Sequence, residues 1–386
     1  MSENNYISDG QDNLEAIDAL RGYAILFVIA VHSIGHNKDL VWPLVRPLTL
    51  GFYGVQLFFL ASALTLLMSW SRSNDLFWLR SFKFLIRRFF RIAPLYYLAI
   101  VFYWFSYQES AGSFRFELLF ATLFFYNAWS PYLIPTVPGW TPVPGGWSIG
   151  VEFCFYFIFP FLAAWVTTLA RSVIFVFIGL VVMILATDFG MQIYPELTYE
   201  QRSNFLYFWL PNQLVIFSLG FFLYHCFKCK AIQEWILNKK RVSDIVSIVF
   251  CGALLLLSFY GPRKFFDWSL GLPPTHLLIS LLFLPWALCL LTKPSKFFVN
   301  KYIVDLGRVS FSAYILHFAV LKYVGSGLKV VWPFGTVGVL SVFYSVILLF
   351  LAVLLTRLLA ELTYKYIERP GISIGKLFIR SVGRTR

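Results

Sequence analysis

Apolar runs close to bilayer length recur from one end of this chain to the other. They cover residues 20–35, 51–70, 92–107, 147–167, 172–187, 207–227, 241–260, 274–292, 309–325 and 339–364. A run approaching ~20 apolar residues with few charges reads as a helix that crosses a membrane. The chain is therefore expected to be all-α, a polytopic transmembrane helix bundle of about ten transmembrane helices. Its composition agrees: 59% of its 386 residues are hydrophobic and only 13% are charged. A soluble core has no need of 43 Phe, 21 Tyr and 13 Trp. The apolar piece 117–128 is too short to cross and reads as a re-entrant or interfacial segment.

The net charge of +13 would suggest nucleic acid in a soluble protein. Here the cations collect in alternate loops, as they do on the cytoplasmic side of membrane proteins. Arg72, Arg80, Lys83, Arg87, Arg88 and Arg91 follow the second run, and Lys228, Lys230, Lys239, Lys240 and Arg241 follow the sixth. Lys293, Lys296, Lys301 and Arg308 follow the eighth, and Lys365, Arg369, Lys376, Arg380, Arg384 and Arg386 follow the last. The loops expected outside hold only Lys38, Arg46, Arg115, Arg202, Arg263, Lys264, Lys322 and Lys329. This bias predicts both termini in the cytoplasm, an even number of spans and no nucleic-acid partner. The acidic N-terminal tail lacks the basic start and cleavage site of a signal peptide, so the first run is expected to be retained. The five cysteines lie mostly in apolar runs and read as small buried residues. The Cys226-x-x-Cys229 pair lacks a second ligand pair, and no metal is expected. The longest non-spanning stretch, 108–146, is rich in Pro, Gly and aromatics and long enough to shape a site.

Four constellations carry chemical potential. Arg21 and His32 lie eleven residues apart in the first run. Eleven helical residues make ~20° more than three turns, so the two share one face ~16 Å apart along the axis. Ionisable side chains at membrane depth normally face a cavity or a partner. A buried neutral imidazole is suited to general-base work, though a histidine bonded between helices is the plainer reading. Glu152, with Tyr156 one turn on, enters an apolar helix and must be protonated or partnered. Glu152 and His32 are expected at matching depths, close enough to touch. Arg80, Lys83, Arg87 and Arg91 form a basic stripe with interleaved apolar residues, which suits anchoring to membrane lipid. Arg88 and Arg91 sit deepest, where a guanidinium fork suits a phosphate. Ser310, Tyr314 and His317 fall on one helix face, either lining the same cavity or bonding helices together.

Taken in order, these segments resemble the acyltransferase-3 family of integral membrane O-acyltransferases. The resemblance rests on Ile17 to His32, Gly51 to Ser62, Arg87 to Tyr96, Trp147 to Pro160, Leu306 to His317, and Ile367 to Pro370. Ala63 stands where the family often has Gly after Ser62, and Ala19 replaces another common Gly. The resemblance implies an acyltransferase-3-like transmembrane domain over 20–366, between a polar cytoplasmic tail (1–19) and a basic one (367–386). It implies transfer of an acetyl group from cytoplasmic acetyl-CoA, or another acyl-CoA, to a hydroxyl of a glycan or lipid-linked glycan such as O-antigen or exopolysaccharide. It also implies a bacterial inner membrane. Arg21, Arg88 and Arg91 are then expected to bind the donor, and His32 and Glu152 to be catalytic. Ser62, Trp147, Tyr156, Ser310, Tyr314 and His317 are expected to line the cavity. A transporter or flippase, or a relay subunit serving a separate transferase, would use the same polar path. The acceptor and the oligomeric state are not legible in the sequence.

Overall fold

Prolines and capping side chains decide where the apolar runs become separate helices. The computed structural model describes residues 3–37, 39–106, 115–133, 141–260, 274–332 and 337–384. Lys38, Arg263, Lys264, Arg386 and the pieces 108–114 and 134–140 of the long loop lie outside the described residues. The described residues form helices α1 (Glu3–Ser33), α2 (Trp42–Thr49), α3 (Gly54–Ser71), α4 (Phe77–Ser106), α5 (Phe116–Leu123) and α6 (Trp147–Trp165). There follow α7 (Leu169–Gln192), α8 (Tyr199–Phe208), α9 (Leu210–Lys228), α10 (Lys230–Leu237) and α11 (Val242–Tyr260). The last are α12 (Thr275–Thr292), α13 (Lys301–Arg308), α14 (Ser310–Val331), α15 (Val339–Thr363) and α16 (Arg369–Arg384). Pro211 sits in the first turn of α9 after an extended Trp209, which separates α8 from α9. Thr198 and Gln201 make a reciprocal cap on α8. Asn300 caps α13 by accepting from the amides of Tyr302 and Ile303.

Among the described residues, nine helical stretches are long and apolar enough to cross a membrane. They correspond to the second through tenth apolar runs. The chain is an all-α, multi-pass membrane protein. The first run lies in α1, which packs against α3, α12, α13, α14 and α15. The α2–α3 stretch buries 78% of its most apolar window, whereas α7, α11 and α15 each bury 28%. The last three therefore form the apolar perimeter, with Phe177, Ile248 and Phe350 facing outward. The short segment near 117–128 contains α5 and is not among the spans.

Two regions differ from the sequence reading. The basic stripe and the third span, expected as a surface helix followed by a span, form one continuous helix, α4. Pro94 does not divide it. The basic end of the chain is also helical: a π-turn at Tyr364–Glu368 leads from α15 into α16. That helix packs on α4, where Gly371 closes on the Phe90 carbonyl.

One crossing fixes the site. A Cβ on Gly307 of α13 would stand 1.7 Å from the Asp18 carbonyl, and one on Gly22 of α1 would stand 2.1 Å from the Ile303 carbonyl. Only glycines allow two helix backbones this close. The contact draws Arg308 onto Asp18 (3.6 Å) and Glu15 (3.9 Å).

Candidate active site

The close crossing leaves Arg21 of α1 beside Arg88 and Arg91 of α4. These three residues line two adjoining cavities and form the partition between them. The larger, about 310 Å³, is completed by Asp18, Thr65 and Arg72 among others. The smaller, about 80 Å³, lies deeper and includes Ser62, Ser148, Glu152, Tyr156, Ser310 and Tyr314.

Each arginine is held differently. Arg21 donates from Nη2 to Thr65 Oγ1 (2.9 Å), and its Nη1 stands 3.8 Å from Asp18. The Arg88 guanidinium lies over the rings of Phe84 (5.7 Å) and Tyr156 (5.9 Å). Its Nε has no hydrogen-bond partner among the described residues. The outer part of the basic stripe is spent on local contacts. Lys83 Nζ meets Asp75 at 2.7 Å, and Arg80 stacks on Trp70 at 4.0 Å. In that exposed turn, the Lys83 hydrogen bond, aided by Ser73, holds the Asp75 carboxyl below its usual range. Arg91, the last member of the stripe, and its neighbour Arg88 are the cations of α4 at the inner partition.

Glu152 does not meet His32. Its carboxylate accepts a hydrogen bond from Ser62 Oγ and lines the smaller cavity with the three arginines. Glu152 faces α3 and α4 at the level of Arg21, whereas His32 stands about three turns further along α1, so the expected match in depth does not hold. On α14, Ser310 and Tyr314 line the cavity, and Tyr314 accepts from Ser148 Oγ (2.8 Å) while donating to the Gly145 carbonyl (3.0 Å). Gly145 has φ +74°, and a Cβ there would press on Tyr314 and Phe318. One turn further, His317 is fully buried and reaches His32: its Nε2 stands 3.3 Å from His32 Nδ1. The rings of Phe52 and Phe318 flank His32. Neither histidine lines the two cavities. Trp147 lies outside them too, packed on Tyr207 and Phe208.

Sequence reasoning missed Asp18, Thr65 and Arg72 at the outer cavity. Asp18 read as part of an acidic tail; its spacing of three from Arg21 is the signal that would have found it. Among the described residues no group of three or more His, Cys, Asp or Glu could hold a metal ion. Cys226 and Cys229 are free thiols, and His225 Nε2 donates to the Val166 carbonyl (3.1 Å).

Comparison with known proteins places this architecture. Two relatives come from Staphylococcus aureus. The O-acetyltransferase OatA of strain NCTC 8325 / PS 47 is 25% identical over 377 residues. A protein of strain COL, provisionally named an O-acetyltransferase, is 28% identical over 376 residues. Both alignments cover 92% of this chain but 57% of the relative, so the chain spans little more than half their length. No solved structure matches. The acyltransferase-3 profile, described as an acyltransferase domain, matches residues 14–360. A match over nearly the whole chain, including every helix that lines the two cavities, makes this protein a member of the acyltransferase-3 family.

Proposed function

We propose that this chain is an O-acetyltransferase of a bacterial inner membrane. It moves an acetyl group from cytoplasmic acetyl-CoA to a hydroxyl of an envelope glycan or lipid-linked glycan. The observation that carries this reading is the three-arginine partition beside the middle of α1, the helix whose last turn bears His32. Arg21 and His32 are ~16 Å apart along α1. A pantetheine arm of about a dozen single bonds extends ~15 Å. With its phosphates held by Arg21, Arg88 and Arg91, the donor would bring its thioester close to the imidazole. Arg72 and Thr65 would extend the phosphate site.

His32 then takes the proton of the acceptor hydroxyl as that oxygen attacks the thioester carbonyl. The carbon–sulfur bond breaks, and the leaving thiolate recovers a proton from the imidazolium. Glu152 balances the arginine charge, with Ser62 holding its carboxylate in place. Relatives bearing the name O-acetyltransferase support the acetyl group and the oxygen acceptor.

The test is proton NMR of envelope glycans from cells making wild-type chain or His32→Ala, before and after mild base. Base-labile acetyl signals confined to wild type are expected, and shifts of the sugar protons would name the acceptor. Matching glycan profiles with both proteins stably made would overturn the assignment and point to transport.

A further inference from the structure

We infer that His317 is a positioning residue for His32, fixing which ring nitrogen of His32 is free to act as a base. This rests on the proposed role of His32. It follows from the acceptors around the pair. A backbone carbonyl can only accept a hydrogen bond, so a ring nitrogen facing one at bonding distance must carry the hydrogen. His317 Nδ1 stands 2.6 Å from the Tyr314 carbonyl and is therefore protonated. Its Nε2, in the neutral ring, presents a lone pair. That lone pair faces His32 Nδ1 at 3.3 Å. His32 Nδ1 also stands 2.8 Å from the Val28 carbonyl, so it carries a hydrogen shared between the two acceptors. The open lone pair of His32 is left on Nε2.

The carbonyl of Val28 belongs to the same helix and gives the ring a single anchor, which alone leaves it free to turn and exchange its two nitrogens. His317 comes from α14 and supplies the second point. The rings lie 5.1 Å apart at 43°, with Phe318 against both. When His32 Nε2 accepts a proton, the positive charge spreads to Nδ1–H, where two acceptors already wait. A hydrogen bond to a charged group is worth more than one to a neutral group. The two acceptors thus keep the Nδ1–H in place as the proton arrives at Nε2. His317 touches neither reacting oxygen nor thioester.

The experiment compares His317→Gln and His317→Leu in proteoliposomes with acetyl-CoA and a glycan acceptor, beside 15N NMR of full-length histidine-labelled protein. A Gln carbonyl can occupy the place of Nε2 and accept the same hydrogen bond, whereas Leu only fills space. The Gln variant should keep kcat within about threefold, and the Leu variant should lose ~10–100-fold in kcat at unchanged donor KM. The spectrum should show His32 protonated at Nδ1 and bare at Nε2, with the Leu variant mixing the tautomers. Equal activity of the two variants, or a wild-type His32 protonated at Nε2, would overturn the inference. The tautomer is set whether or not the chain transfers acetyl. A chain with the expected spectrum and no transferase activity would therefore reject the proposed function while leaving the pairing intact.

Discussion

Arg88 stands between two cavities with its Nε unmet by any hydrogen bond among the described residues. A guanidinium in that state is prepared for a planar, bidentate anion. Arg88→Ala should raise the donor KM ~10–100-fold while leaving kcat at saturating donor much less affected. Arg88→Lys should recover little, because an ammonium restores the charge but not the fork. Titration of transfer rate against acetyl-CoA separates the two parameters, and an unchanged KM in both variants would remove Arg88 from the donor site. Several of these residues were legible from spacing alone. The eleven-residue interval put Arg21 and His32 on one face, and the i, i+4, i+7 pattern put Ser310, Tyr314 and His317 on another. The partner of Glu152 was not legible, because its place in an apolar run gives neither its level against the other helices nor the direction in which α6 is turned. The meeting of His32 with His317 depends likewise on the packing of α1 against α14.

At the scale of elements, the crossing of α1 and α13 is the most sensitive joint. Gly307→Ala must push apart backbones that leave no room for a Cβ. Overpacking of this kind typically costs about 1–3 kcal/mol. Here the shift would also pull Asp18 away from Arg308. Gly327 of α14 has nothing near its added carbon, so Gly327→Ala should be neutral or slightly stabilising. Thermal unfolding of the two variants in detergent should separate them clearly, and equal melting would mean that the crossing relaxes freely. A related exchange explains Ala63. The backbone closeness that a Gly after Ser62 would allow is supplied from the other side, where Gly220 of α9 leaves room for the Ala63 methyl. Helix existence was readable because each span needs a long apolar run. Helix joining was not: α4 continues through Pro94, and α16 grows out of a π-turn, through packing between helices that local sequence does not encode.

For the whole molecule, the lysine and arginine bias predicts that the α3–α4 turn faces the cytoplasm. In a background without native cysteines, Ser73→Cys should react with an impermeant maleimide only in opened or inverted vesicles. Glu200→Cys, at the start of α8, should react in intact cells. The reverse pattern would invert the donor path and with it the proposed direction of transfer. The same partition bears on how the membrane stores energy. A bilayer that holds a proton gradient cannot contain an open wet passage, yet the proposed reaction carries an acyl group through this site. Three guanidiniums gathered at one partition repel hydronium and sodium while favouring an anion. Vesicles bearing the wild-type chain should hold a pH gradient, and neutralising Arg21, Arg88 and Arg91 together should let it decay. The wall that admits the donor would then be the insulator that keeps the battery charged.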